Sequence, residues 1–492
     1  MAVRTPLELI HIYWDQVYNE MQVELVREVC ADPIIRHDPL YITPLSHDEQ
    51  IERILRNKAM RPLFTHRVLH ADDEYVTSVW NMVSRDGKNM ELCGIEVFRA
   101  QNGRFTDCWN STYMKGLWAE DGVMFDPSKL EPPPLIAAPE AIKADWLQRA
   151  FANGGVVETQ RIATEPTVTP IGHGTSATTV HVRVAYNSGH ITAPRSVVCK
   201  IGLSPPKGTN AVSAFVREVK AYQFFGREPA FRVPKVYYAA SDEAGHCNLV
   251  LEDMTETAEA GDQIAGCSVD QAAAVVRELA RLHGAYWKSP ELDRLDWLQE
   301  PHHLLPAYAK GAEVIHDWLP ARISAGQFEV IDAFGRLTER WMDAPSAHRT
   351  LIHSDPRVDN VLFERTGAGE IRACLIDWQG PMSGDPQYDV AYFLSGSVSP
   401  EDRRACERTL IADHVRMIAE IDPSYMLDAA LEAYRGNIVS GLWLTVVACA
   451  FIERNDHNAR LIETLVARNV AAIRDWDGLA AVEAAALKGE PA

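Results

Sequence analysis

The stretch LIHSDPRVDNVLFERTGAGEIRACLIDWQG, residues 351–380, decides how this chain is read. Two apolar strand-like pieces, LIH and ACLID, each end beside a carboxylate. Asp355 follows the first piece and Asp377 closes the second, while Asn360 stands five positions after Asp355. A strand fixes the direction of the residues that follow it, so the pattern holds two carboxylates and an amide as a rigid set. One carboxylate of such a set can remove a proton, and the remaining oxygen donors suit a hard cation.

Three parts stand upstream in order. PIGHGTSATTVHVRVAY (170–186) places Gly172 and Gly174 in a turn between two strands, where small residues let backbone N–H groups approach phosphate oxygens. Lys200 closes the strand SVVCK. Glu218 follows eighteen positions later in AFVREVKAYQFF, on the flank of the apolar stripe Phe215, Val219 and Tyr222. From there a carboxylate can reach inward to Lys200. Each part alone reads as an ordinary hairpin, an edge lysine or a surface glutamate; the ordered set reads as a nucleotide site.

The bulk properties bound the rest. A chain of 492 residues is too long for one ordinary core, and two or three domains are expected. The net charge of −20 argues against nucleic acid or an anionic membrane as partner. Nine cysteines with no CxxC pair read as a reduced, cytoplasmic protein. The opening MAVRTPLELIHIYW lacks the charge pattern of a signal peptide, and GLWLTVVACAFI (441–452) is too short to span a bilayer. No membrane association is expected.

FDPSKLEPPPLIAAPEA (125–141) marks a linker over 125–142, because consecutive prolines cannot continue a helix or a central strand. Residues 1–124 before it show helical periodicity in ELIHIYWDQVYNEMQVELVREVC and DEQIERILRNKAM, then four alternating strands with RDG and QNG at hairpin turns. After it, strands and one helix form a small lobe over 143–256, and a mostly helical lobe follows over 257–492. Both parts are α+β.

The first part, over roughly residues 5–122, resembles the NTF2-like, SnoaL-like family in its element order, with HDP (37–39) and GIEVFRAQNGRFTDCWN. That resemblance implies helices on a curved antiparallel sheet that closes as a cone. Its implied pocket groups are Glu20, His37, Asp38, His66, Trp109 and Asn110. It also implies a ligand-binding or dimerising module, with a homodimer through this domain.

HSDPRVDN has the form H-x-D-x4-N, close to the catalytic loop of kinases. Together with IGHGTSATTVHVRVAY, SVVCKIGL, REVKAYQFF, RVPKVYYA, LVLEDM, RELARLHGAYW, LIDWQ and GDPQYDVAYFL, it resembles the aminoglycoside phosphotransferase/choline kinase superfamily, in particular its ecdysteroid-kinase-like branch. The resemblance runs from about 143 to 455. It implies a two-lobe, protein-kinase-like phosphotransferase using ATP, or alternatively GTP, with Mg²⁺. Asp355 is then the base, Arg357 lies near the transferred phosphate, and His353 orients the loop. Asn360 and Asp377 hold Mg²⁺, Lys200 and Glu218 form the phosphate-gripping pair, and the backbone from Glu252 to Met254 receives the base. Asp359 is structural, and Asp389 clamps the loop.

The same resemblance implies a small alcohol as the acceptor. Tyr286, Trp287, Trp297, Tyr434 and Trp443 are aromatic candidates for its pocket, and no acidic cluster suits a polycationic sugar. The expectation is an apolar alcohol such as a steroid, a terpenoid or an aromatic compound. Two alternatives are a bifunctional kinase-lyase, which phosphorylates an alcohol and eliminates phosphate in the first domain, and a non-catalytic pseudokinase. The second is disfavoured because Lys200, Glu218, Asp355, Asn360 and Asp377 are all present.

Overall fold

The computed structural model describes residues 3–86, 90–111, 113–118, 132–156, 162–171, 177–186, 193–202, 214–226, 228–242, 245–367 and 369–488. Gly172 and Gly174 lie outside the described residues. The chain divides into two compact units, Met1–Phe125 and Asp126–Ala492.

The first unit is built on seven strands: β1 (Cys30–Asp38), β2 (Tyr41–Leu45), β3 (Pro62–Ala71), β4 (Tyr75–Ser84), β5 (Glu91–Gln101), β6 (Arg104–Asn110) and the short β7 (Met114–Lys115). Their order is β2-β1-β6-β5-β4-β3, with β7 paired to β5. Pairing is antiparallel except that β1 runs parallel to β6. The expected long first helix is shorter than its periodicity suggests. It breaks into an α-helix (Pro6–His11), a π-helix (Ile12–Asn19) and short turns, and β1 starts at Cys30. Pro33 explains the end of helix, since it donates no N–H and restricts the residue before it. HDP therefore belongs largely to a strand. The helix His47–Arg56 is fixed at its start by a reciprocal cap between Ser46 and Glu49. The core gathers Leu9, Tyr13, Trp14, Val17, Trp80, Phe98 and Phe105 between helices and sheet.

The second unit opens with a five-stranded sheet in the order β11-β12-β10-β9-β8. Its strands are β8 (Thr167–Pro170), β9 (Ala177–Arg183), β10 (Ser196–Gly202), β11 (Val236–Ser241) and β12 (Cys247–Glu252). Helix Ala144–Asn153 covers one face through Trp146, Leu147, Ala150 and Phe151. Helix Ala214–Phe225 contributes Val219 and Tyr222 to the larger core. The described end of the proline-rich segment is bound to this sheet. Ile136 exchanges two backbone bonds with the Asn248 amide at 2.8 and 2.9 Å, and Pro133 accepts from the Tyr238 hydroxyl at 2.9 Å.

The helical part carries two small sheets, β13 (Ala258–Ala260) with β15 (Val361–Arg365) and β16 (Ile371–Leu375), and β14 (Thr350–Ile352) with β17 (Met382–Gly384). These strands deliver the quoted segment to one place. Helix Pro386–Ser397 lies behind them and is buried along its whole length. It therefore shows no amphipathic stripe, as expected of a helix packed on all sides.

Candidate active site

Asp355 sits just past β14. Its Oδ1 accepts from the Tyr392 hydroxyl at 2.5 Å, and its Oδ2 lies 4.0 Å from Arg357 Nε. Burial pushes the Asp355 carboxyl above the ordinary aspartate range, with Arg357 and the Tyr392 hydroxyl pulling against it. Arg357 Nε is buried without a hydrogen-bond partner, a cationic donor left for an anion.

The loop is held from behind. Asp389 accepts the backbone N–H of His353 at 2.7 Å and of Ser354 at 2.9 Å, and receives His283 Nε2 at 3.2 Å. His353 Nε2 meets the Ile376 carbonyl at 2.9 Å, and Ile376 N–H donates to the Asn360 carbonyl at 3.0 Å. These bonds tie the Asp355 loop to the end of β16, one residue before Asp377. Both Ser354 and Asp377 have positive φ, +69° and +66°, a conformation that non-glycine residues adopt only under such constraint. Asp359 accepts the Gln263 N–H at 2.7 Å and braces the same loop.

Asn360 donates Nδ2 to the Asp355 carbonyl at 2.9 Å, which leaves its Oδ1 as a ligand atom. Lys200 Nζ, on β10, lies 2.6 Å from Glu218 Oε1 and 3.3 Å from Asp377 Oδ1. Burial works against the Lys200 charge, but the two carboxylates outweigh it and raise its pKa. Burial likewise pushes the Glu218 carboxyl up, and the Lys200 ammonium pulls it down. Oxygen donors from Asn360 and Asp377 are the type that holds Mg²⁺, so the residues present fit that ion.

A family model, the phosphotransferase enzyme family (APH), matches residues 167–424, more than half of the chain and the whole of this site. The chain is a member of that family. No curated protein matches it. Among solved structures, a thermostable mutant of aminoglycoside phosphotransferase APH(4)-Ia shares 17% identity over 63% of this chain and 95% of that one, with a TM-score of 0.36. The Plasmodium vivax ethanolamine kinase shares 12% over 62% and 82%, with a TM-score of 0.40. A putative polyketide cyclase from Acidithiobacillus ferrooxidans shares 20% over 23% and 90%, with a TM-score of 0.20.

In this phosphotransferase the Glu252 side chain is already engaged. It pairs with Arg232 at 2.8 Å and accepts the Lys235 N–H at 2.9 Å. The Met254 carbonyl accepts the N–H groups of Thr257 and Ala258, and its side chain is buried. These contacts fix the 252–254 backbone.

Of the five aromatic candidates, Trp443 alone joins a row of rings leading away from Asp355. Tyr392 stacks on Tyr388 at 6.5 Å, Tyr388 on Trp341 at 5.9 Å, and Trp341 meets Trp443 at 6.0 Å. Tyr286 and Trp297 pack against Phe224, Trp287 donates to Asp422, and Tyr434 donates to Glu407. Tyr388 and Tyr392 escape sequence reasoning because YDVAYFL reads as uniform helix core. The available signal is that Asp389 and Tyr392 are three apart on one helical face.

The six pocket candidates of the first unit do not converge. Glu20 is exposed and accepts from Gln22. His37 stacks on Trp109 at 4.5 Å and bonds Asp107, on the strand face opposite buried Ile34 and Arg36. Asn110 bonds Cys108, and His66 bonds Ser78. The buried polar cluster includes Asp38 of the six and is built around residues outside that set. Arg36 pairs with Asp38 at 3.0 Å and donates to the Tyr113 hydroxyl at 2.9 Å, which donates to Glu96 Oε1 at 3.2 Å. Burial raises the Glu96 pKa to about 7, against the pull of Arg36 and Tyr113. Glu96 hides in the alternation of GIEVF, two positions before buried Phe98.

Proposed function

We propose that this phosphotransferase is an ATP-dependent small-molecule kinase that transfers the γ-phosphoryl group to the hydroxyl of an apolar alcohol, a steroid, terpenoid or aromatic compound. The reading rests on the row of rings that starts at Asp355. Ile352, Met382, Tyr388 and Tyr392 form an apolar cluster of their own, flanked by Trp341 and Leu444. An alcohol directed to Asp355 would meet the aromatic side of this cluster.

Asp355 takes the acceptor proton as the oxygen attacks phosphorus. Tyr392 occupies Oδ1, so Oδ2 is the basic oxygen, on the side of Arg357. Lys200 grips the α- and β-phosphates and Glu218 keeps it extended, while Arg357 offers its free N–H to the transferred group. Asn360 and Asp377 would hold Mg²⁺, which offsets phosphate charge when bound. GTP is the alternative donor, and the ecdysteroid-kinase-like branch is the assignment within the family. Among the described residues no helix is long and apolar enough to cross a membrane, and the nine cysteines are free. Cytoplasmic residence is consistent with those thiols.

The test is mass spectrometry of an alcohol panel incubated with protein, Mg²⁺ and ATP or GTP. A phosphorylated steroid, terpenoid or aromatic alcohol, lost in Asp355→Ala, supports the reading. Phosphorylation of choline or aminoglycosides alone overturns the acceptor class. Trp341→Ala should raise KM for the alcohol roughly tenfold and leave that for nucleotide unchanged, on the scale of one lost apolar contact set.

A second reading, the kinase-lyase, is favoured by Glu96. A carboxylate with a pKa near 7 is suited to removing a proton from carbon. Glu96 would take a proton from the carbon beside the phosphorylated one, the freed electron pair would form a C=C bond as the C–O bond breaks, and the phosphate of the ester monoanion would leave as hydrogen phosphate dianion. A phosphorylated product that accumulates untouched with the intact protein removes this reading. Otherwise the first unit binds ligand or joins two copies.

A further inference from the structure

We infer that the first unit carries a binding site for one divalent cation of the zinc class, formed by His11, Asp15 and His66. Among the described residues these are the one group of three such side chains whose ligand atoms all lie within 4.8 Å of one another.

The three ligands come from three elements. His11 ends the first α-helix and Asp15 follows one turn later in the π-helix. Helical spacing of four puts them side by side, with His11 Nδ1 3.2 Å from Asp15 Oδ2. A tetrahedral zinc-class ion with bonds near 2.0–2.1 Å needs ligand atoms about 3.3 Å apart, so this edge already has the required length. His66 comes from β3, its ring 6.0 Å from that of His11 and nearly perpendicular to it.

The second observation is the state of His66. Its Nδ1 bonds the Ser78 hydroxyl at 2.9 Å, whereas its Nε2 is buried and has no hydrogen-bond partner. With Nδ1–H donated to Ser78, Nε2 presents a bare lone pair. Buried polar atoms rarely remain unsatisfied, and a ligating histidine characteristically has its other nitrogen fixed by such a partner. An ion between the three groups satisfies Nε2 and ties the π-helix to the sheet edge. Two imidazoles with one carboxylate favour zinc, cobalt or nickel over magnesium. The site is therefore separate in chemistry from the oxygen donors Asn360 and Asp377. His11 and Asp15 are each 53% exposed, so an entering ion has a path and keeps a position for water.

The test titrates EDTA-treated full-length protein with Co²⁺ in saturating Mg²⁺ and ATP, which occupies the phosphotransferase site. The expected result is one equivalent of Co²⁺ with a visible tetrahedral or five-coordinate spectrum, displaced by Zn²⁺. His11→Ala and Asp15→Asn, both at exposed positions, should each weaken binding at least tenfold. His11→Ala should leave phosphotransfer unchanged. His66→Gln, which keeps a polar side chain of similar reach, should also abolish the spectrum. Absence of a bound equivalent, or Co²⁺ binding unaltered by His11→Ala, overturns the site and leaves the buried nitrogen to a water molecule.

Discussion

Tyr392 places its hydroxyl 2.5 Å from Asp355 Oδ1, so the candidate base enters the reaction with one oxygen already committed. That bond steadies the charged carboxylate and opposes the upward push of burial. The base must be ionised, and activity is lost as pH falls through its raised pKa. The acid limb of kcat/KM should therefore lie above the ordinary aspartate range. Tyr392→Phe removes a bond that lowers the pKa and should move that limb to still higher pH. A limb unmoved in Tyr392→Phe would place the titrating group elsewhere. Asp355→Asn should cost about 10²–10⁴-fold in kcat, the usual contribution of a general base, with nucleotide affinity retained.

Lys200→Met leaves Glu218 buried without its cation. The remaining carboxyl, no longer pulled down, has a folded pKa well above its unfolded value. Stability in the variant should fall as pH rises from the unfolded glutamate pKa up to that raised value, by about 3–5 kcal/mol relative to wild type above it. Urea midpoints at acidic and neutral pH check the sign. Lys200→Met, Glu218→Gln should recover most of the loss in stability and none of the loss in nucleotide binding.

Asp389→Ala strips the acceptor from two backbone N–H groups and from His283. Each unsatisfied buried group costs about 1–3 kcal/mol, so a lowered denaturation midpoint is expected together with lost turnover. Asp389→Asn keeps one acceptor oxygen and should retain more stability than activity. Equal losses of both would show that Asp389 supports the fold without placing Asp355.

Glu96 gives the first unit a pH dependence of its own. Its folded pKa of about 7 exceeds the unfolded value, so the penalty is absent below the ordinary glutamate pKa, grows from there up to about 7 and is constant above it. Glu96→Gln should match wild type near pH 4 and be more stable near pH 8, by roughly 3 kcal/mol. Denaturation midpoints of the two proteins at both values check this.

The phosphotransferase site was readable because its parts are local or strictly ordered. Asp355 and Asn360 are five residues apart on one loop, and Lys200 and Glu218 sit within a strand and a helix whose packing brings them together. The residues that surround them were hidden. Tyr392 lies in a helix buried on all sides, where no periodic pattern marks a functional face. In the first unit, reading a helix up to Cys30 removed β1 from view, and with it Arg36. Without that strand the contacts of Tyr113 with Arg36 and Glu96 have no trace in the sequence, and the family resemblance points instead to His37 and Trp109, which stack on the opposite face.

The residue after Asp377 has a practical consequence for ligand design. Trp378 is fully buried, its ring against Phe225, Phe231 and His353. Swinging this segment outward would withdraw an indole from a packed site at a cost of about 3–5 kcal/mol, the scale of a Trp truncation in a core. Fewer than about one molecule in a hundred would be found that way. Inhibitors that gain selectivity by lodging behind a displaced segment at Asp377 would have to supply that cost in binding. Selective compounds would instead have to compete along the aromatic row beside Asp355.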